Sequence, residues 1–285
     1  PEVASVYNNI GGISCYAGDY KTGLSAFQHA LETRIKLLGN NSPKVAETYE
    51  NIGLALAKIG RYREALINYL KSKAIIVNNL GPDDPKVAKI DEFIAGVYMR
   101  FDEHQKSIEY HFDALRIYAK SMGENNLKVA GVYNNLGVSY AALGDYIKSE
   151  AYHLKDLEIT RLLLGENHLD VSTVYLNLGI LFRKKQDYEQ SIQYNEQALQ
   201  MRLNLVGPNS IEVAESYSNM ANVYDDIGRY DKAVELHEKA LLIFKYNLHE
   251  AHPFFAQVYN NLANPYLSKG KLEKTIEMCH NALLV

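Results

Sequence analysis

Six asparagines recur along the chain at multiples of 42 residues, and one phenylalanine takes the remaining position. The column reads Asn9, Asn51, Phe93, Asn135, Asn177, Asn219 and Asn261. A side-chain amide carries both a hydrogen-bond donor and an acceptor, so it can pair with the two polar groups of a peptide backbone. A row of such amides could therefore hold an extended main chain of any sequence. The alternative is that each amide bonds to a neighbouring repeat and satisfies a buried polar group there.

Basic residues accompany the asparagines in the middle of the chain. Lys58, Arg100 and Lys184 share a second column, and Arg183 stands beside Lys184. In the following unit the same place is acidic, with Asp226. A surface charge usually does no more than solvate its surroundings, but a run of charges on one face favours recognition. We therefore expect a protein or peptide ligand with acidic or phosphorylated residues.

The sequence does not support a metal site, a nucleophilic active site or a phosphate-binding loop. His111, His153 and His237 share a column, but equivalent positions of successive repeats are separated by two helix packings of about 8 to 10 Å each, too far for one metal ion. Cys279 and His280 are adjacent, so on a helix they diverge by about 100° and form no nucleophile pair. The glycines recur as helix punctuation, not as a phosphate-binding loop. We predict no catalytic residues, no metal and no cofactor.

The columns belong to an internal repeat. The phrase YNNLG at residues 133–137 returns in altered form every 42 residues, and DEFIAG at residues 91–96 replaces it in a degenerate third unit. Such a period indicates stacked repeats in a single solenoid domain. The expected units are residues 1–42, 43–84, 85–126, 127–168, 169–210, 211–252 and 253–285.

Each unit reads as a helical hairpin. In the second unit, Pro43 suits the first turn of a helix and Gly60 its end, and a second periodic segment runs to Leu80 before Gly81. On the first helix the apolar positions share one side, where Gly53 leaves room for the partner helix. The asparagines fall on the opposite side. Neither helix can bury its apolar face alone, so neighbouring hairpins must stack.

Two departures from the pattern modify this expectation. Phe93 interrupts the asparagines, either to repair the degenerate third unit or to form the floor of an apolar pocket for an anchor side chain. Pro265 lies inside the first helix of the seventh unit and should kink that helix.

The order aromatic, Leu, Gly, aromatic, seen at Tyr133, Leu136, Gly137 and Tyr140, resembles the tetratricopeptide repeat. With its 42-residue period and linkers such as LGPDDPKVA at residues 80–88, the whole chain resembles the kinesin light chain class of that family. The resemblance implies an all-α, right-handed superhelical solenoid of seven helix-turn-helix repeats. It also implies that the asparagines line a concave groove and clasp a bound peptide.

The predicted function is a peptide-binding adaptor, and the alternative is a regulatory or sensor arm of a larger signalling protein. A clamp for a terminal carboxylate is disfavoured, because none of the residues at the clamp positions is basic. These residues are Asn8, Glu50, Glu92, Asn134, Leu176, Ser218 and Asn260.

Composition adds expectations about location and partners. The 285 residues are 47% hydrophobic and carry a net charge of -4, which does not attract nucleic acid or an anionic membrane. No apolar run approaches the roughly 20 residues of a membrane span. Two cysteines alone support no disulfide framework, so we expect a reducing, cytoplasmic setting.

Overall fold

The computed structural model describes residues 2–249 and 252–285, and within these ranges it contains fourteen helices and no strand. The expected boundary at Pro1 and the middle of the sixth linker, residues 250 and 251, lie outside the described residues. The helices are α1 Glu2–Tyr16, α2 Tyr20–Leu38, α3 Pro43–Lys58, α4 Tyr62–Leu80, α5 Pro85–Arg100, α6 His104–Met122, α7 Leu127–Leu143, α8 Tyr146–Leu164, α9 Leu169–Lys184, α10 Tyr188–Val206, α11 Ile211–Asp226, α12 Tyr230–Asn247, α13 Pro253–Ser268 and α14 Leu272–Leu284. The odd-numbered helices are called first helices below, and the even-numbered ones second helices.

The chain divides into two compact units, Pro1–Asp145 and Tyr146–Val285. In the first unit consecutive helices from α1 to α7 pack on one another, and in the second unit consecutive helices from α8 to α14 do the same. Apolar faces are thus buried against sequence neighbours, as in stacked repeats. The predicted all-α fold is confirmed for residues 2–249 and 252–285.

Helix limits follow from capping residues that the sequence displays. The Ser42 hydroxyl accepts a hydrogen bond from the Lys44 backbone N–H at 3.3 Å, and Pro43 occupies the first turn of α3. After α4, Gly81 adopts a φ of +89°, which is readily accessible only to glycine. Pro265 lies inside α13, which continues to Ser268. A kink at Pro265 remains a prediction.

Small residues on the first helices set the distance to the second helices. A Cβ added to Gly53 would lie 2.5 Å from Cε1 of Tyr69, and one added to Gly11 would lie 2.5 Å from Cδ1 of Phe27. Gly179 approaches Asn195 equally closely. The predicted role of Gly53 in close helix packing is confirmed.

The third hairpin carries a buried carboxylate that the sequence pattern did not reveal. Asp91, which replaces the tyrosine of the other units, is fully buried, and its Oδ1 accepts a hydrogen bond from Lys73 Nζ at 2.5 Å. Burial raises the pKa of Asp91 to about 6, although Lys73 opposes the shift. Phe93 stacks on Tyr69 of the preceding repeat with ring centroids 5.3 Å apart. This contact favours the interpretation of Phe93 as a repair of the third unit.

Two buried arginines, four repeat lengths apart, make the same contacts. Arg34 donates to the Lys44 carbonyl at 2.8 Å and to the Thr48 hydroxyl at 2.7 Å. Arg202 donates to the Glu212 carbonyl at 2.6 Å and to the Ser216 hydroxyl at 3.2 Å. Each arginine therefore ties a second helix to the first helix of the next repeat.

The Gly53 contact predicts the effect of a single added methyl group. Gly53→Ala should destabilise the fold by about 1 to 3 kcal/mol, because Tyr69 is buried and stacked and cannot move away easily. Gly96→Ala is the matched control, because a Cβ at Gly96 in α5 meets open space, and it should stabilise by about 0.5 to 1 kcal/mol. Denaturant unfolding of both variants measures the difference. Equal effects would contradict the packing argument.

Candidate functional site

The asparagine column lies on the first helices, and most of its members are half-buried. Asn9 is exposed, whereas Asn51 and Asn135 of the first unit are half-buried. The Nδ2 of Asn51 donates to Oδ1 of Asn8 at 3.1 Å, which joins α3 to α1. In this pair, at least, an amide bonds to the neighbouring repeat, as the alternative interpretation expects. In the second unit Asn177, Asn219 and Asn261 are also half-buried.

The second unit brings two of these asparagines to one cleft. Asn177 and Asn219 both line a cavity of about 220 Å³, most of whose lining residues belong to α9, α11 and α13. Arg202 of α10 and Phe244 of α12 also contribute to its lining. The cleft is therefore shared by three consecutive repeats.

An ion pair between a buried arginine and a partly exposed glutamate forms part of the wall. Arg202 is 3% exposed, and its Nη1 lies 3.3 Å from Oε2 of Glu215. Burial lowers the pKa of Arg202, which Glu215 opposes, and burial raises the pKa of Glu215, which Arg202 opposes. Arg202 is not among the predicted site residues, although Arg34 in the same column is a signal for it in the sequence.

Ser218 of α11 also belongs to the lining, but its hydroxyl oxygen is itself buried. Ser218 lines the cleft and is 7% exposed, and its Oγ has no hydrogen-bond partner among residues 2–249 and 252–285. Ser218 is also the smallest residue of its column, whose other members are Asn8, Glu50, Glu92, Asn134, Leu176 and Asn260.

The basic residues differ in their availability. Lys58, Arg100 and Lys184 are exposed, each in the last turn of its helix, where the helix dipole favours a cation even without a ligand. Arg183 is half-buried, and its Nε lies 3.4 Å from Oδ2 of Asp226. Asp226 therefore neutralises Arg183, which leaves Lys58, Arg100 and Lys184 as the stronger candidates for binding an acidic ligand.

The histidine column is part of the core. His111, His153 and His237 are at most 3% exposed, and burial lowers the pKa of each to about 4. In the part of the chain that the structure describes, their Nδ1 atoms have no hydrogen-bond partner, and no group of three or more His, Cys, Asp or Glu residues could hold a metal. These histidines are neutral packing residues at pH 7.

Serially packed helical hairpins with a polar face on their first helices define a repeat scaffold. The model of the tetratricopeptide repeat matches residues 2–76, 86–146, 128–204 and 181–245. The chain belongs to the tetratricopeptide repeat family, and its repeats support a role as a protein–protein interaction scaffold.

Solved structures share the fold at low sequence identity. BtubC (BKLC) from P. vanneervenii is 24% identical, with a TM-score of 0.65 over 81% of this chain and 93% of that one. The repeats described as those of a Podosopora anserina kinesin light chain are 18% identical, with a TM-score of 0.55 over 70% and 95%. The Rap conjugation gene regulator of plasmid pLS20, solved with a Phr peptide, is 17% identical, with a TM-score of 0.61 over 85% and 74%. Identities this low show the fold alone.

No curated protein matches the sequence of this chain. Within residues 2–249 and 252–285, no helix combines the length and the apolar character needed to cross a lipid bilayer.

The buried histidines predict acid sensitivity. The neutral form of His237 stabilises the fold fully above pH 6.5, and this contribution is lost as the pH falls toward the folded pKa of about 4. The loss can reach about 3 kcal/mol for one histidine. Asp91 and Asp156, whose pKa values burial raises to about 6, oppose the trend, because their folded forms take up protons first. Each of the three buried histidines should lower the melting temperature as the pH falls from 6.5 to 4.

His237→Asn should flatten this fall, because asparagine cannot titrate and already occupies the column at Asn195. Chelator at pH 7 should leave the melting temperature unchanged. A melting profile of the variant that matches that of the wild type would show that His237 does not cause the acid sensitivity.

Proposed function

We propose that the chain is an adaptor that holds an extended segment of a partner protein on the polar faces of its first helices. The observation that carries the proposal is the asparagine column, two members of which, Asn177 and Asn219, line one cleft. Amides at such positions can donate to backbone carbonyls and accept from backbone N–H groups. The similar fold of the Rap regulator solved with a Phr peptide supports this type of ligand.

The exposed basic residues suggest the character of the segment. Lys58 and Arg100 lie at equivalent positions of α3 and α5, and Lys184 lies at the same position of α9. Exposed cations attract acidic or phosphorylated side chains and speed their association. We infer a ligand that carries negative charges in addition to its backbone contacts.

The proposal includes the class of repeat protein and the cellular compartment. The 42-residue period favours the kinesin light chain class of the family, in which the chain would act as a binding module without catalysis, metal or cofactor. Cys15 and Cys279 are free thiols, which suits a reducing cytoplasm. A net charge of -4 favours a protein partner over nucleic acid or a membrane surface.

Asn219→Ala should weaken binding to every peptide by a similar factor. Loss of one hydrogen bond of about 1 kcal/mol corresponds to roughly a fivefold weaker Kd whatever the peptide sequence. The measurement is fluorescence anisotropy with peptides selected on an array by the wild-type chain. Asn51→Ala is the comparison variant and should lower the melting temperature, because Asn51 bonds to Asn8. If Asn219→Ala lowers the melting temperature and leaves peptide affinity unchanged, the amide is structural.

Lys58→Ala should weaken only the acidic peptides and reduce the salt dependence of their binding, because it removes a screened charge attraction. Lys21→Ala, an exposed lysine on the second helix α2, is the matched control with the same change of net charge. If both variants lose acidic peptides equally, the effect comes from overall charge and not from the first-helix face.

A further inference from the structure

We propose that the chain binds a second copy of itself head to tail, with helix α14 of one copy packed on helix α1 of the next. The inference concerns the first and last helices in chain order and does not depend on the proposed peptide-binding function. It is carried by two exposed apolar faces that fit one another in the register of the repeats.

Helix α1 exposes apolar side chains whose equivalents in the other first helices are buried. Ile10 is 41% exposed and Ile13 is 70% exposed, and Val3 and Val6 are exposed as well. The only charged residue of α1 is Glu2. An exposed apolar face of this kind is typical of a protein contact. In the column of Ile10, the later first helices carry apolar residues that are at most 7% exposed, namely Ile52, Ile94, Leu136, Leu178, Met220 and Leu262.

Helix α14 has a second apolar face, and none of its residues is buried. Leu272, Ile276 and Leu283 are all exposed, Leu283 to 85%. Their spacings of four and seven residues place them on one side of the helix. In α12 the equivalents of Ile276 and Leu283 are Val234 and Leu241, which are half-buried and pack against a core cluster that includes residues of α13. The apolar face of α14 is therefore the one with which a second helix covers the next repeat.

Contacts between consecutive repeats show which residues of the two copies would meet. In the first unit Lys73 of α4 donates to the buried Asp91 of α5. In the columns of these two residues, α14 carries Leu283 and α1 carries Tyr7, which is exposed. The proposed junction therefore has an apolar pair where the junction of the second and third repeats has a charged one.

A contact in the second unit gives the same result. Lys185, at the end of α9, donates to Glu150 of α8 at 2.7 Å. In the columns of these residues, α1 is followed by Ala17 and α14 carries Ile276. Two charged pairs of other junctions are thus replaced by pairs of uncharged residues, which leave no buried charge without a partner. Since both halves of this contact lie on one chain, a second copy supplies what each face lacks.

The two faces are different, so the contact between copies is heterologous. Each copy in a dimer of this type keeps one face free for a further copy, and association continues into closed rings or open chains. The mass of the assembly should therefore rise with the concentration of the protein.

The test measures the mass of the 285-residue chain by size-exclusion chromatography with light scattering at increasing concentrations. Ile13→Glu places a charge in the α1 face, and Ile276→Glu places one in the α14 face. Each variant alone should remain monomeric, because one half of the contact is lost. An equal mixture of the two should form a dimer and nothing larger, because one intact α14 face and one intact α1 face remain.

Ile67→Glu is the matched control, since it makes the same change at an exposed isoleucine of α4 and should associate as the wild type does. Circular dichroism should show the same helical content in all three variants, because each altered side chain is exposed.

A wild type that stays monomeric at every concentration would overturn the proposal, and so would a mixture of the two folded variants that forms no dimer. Association that is lost in Ile13→Glu but kept in Ile276→Glu would indicate a symmetric contact between two α1 helices, against the head-to-tail arrangement. Association kept by both variants would place the contact on another surface. None of these measurements uses a peptide, so failure of the proposal leaves the proposed peptide-binding function standing.

Discussion

The close approach of the two helices within a hairpin is the constraint on which the rest of the structure depends. At Gly53 and Gly11 a missing side chain lets an aromatic ring of the second helix lie against the backbone of the first. That contact fixes which side of each first helix is buried. The asparagine column then falls on the opposite side, because residues at these spacings cannot share a face. The polar face is thus a consequence of how the core is packed.

The residues of the asparagine column make two kinds of contact. In the first unit the Nδ2 of Asn51 donates to the Oδ1 of Asn8, and this hydrogen bond joins two repeats. In the second unit Asn177 and Asn219 line one cleft. Asn51 also lines a cleft, of about 400 Å³, so an amide of this column can bond to the neighbouring repeat and face a cavity at the same time.

Much of the fold could be predicted from the sequence, because caps, glycines and apolar spacing act locally. The limits of α3 and α4 and the packing role of Gly53 followed from such signals. The Asp91 pair with Lys73 could not be predicted, since it joins two columns that are not both charged in any other repeat. The cleft beside Asn177 and Asn219 depends on side chains of several helices, which periodicity does not describe. The orientation of the Asn51 amide toward Asn8 is likewise not set by spacing.

The buried arginines bear on the order in which repeats can follow one another. Thr48 and Ser216, the hydroxyl partners of Arg34 and Arg202, stand in a column that is otherwise aliphatic, with Val6, Ile90, Val132, Val174 and Val258. A hydroxyl occurs in that column only after a repeat that ends in such an arginine. The arginine contacts would survive an exchange of hairpins two and six, although that exchange would take Lys73 away from the buried Asp91. An exchange of either hairpin with hairpin three would set a buried guanidinium against isoleucine. A repeat that ends in such an arginine must therefore be followed by a repeat with a hydroxyl in this column. A shuffled or extended array has to keep this order of repeats to remain folded.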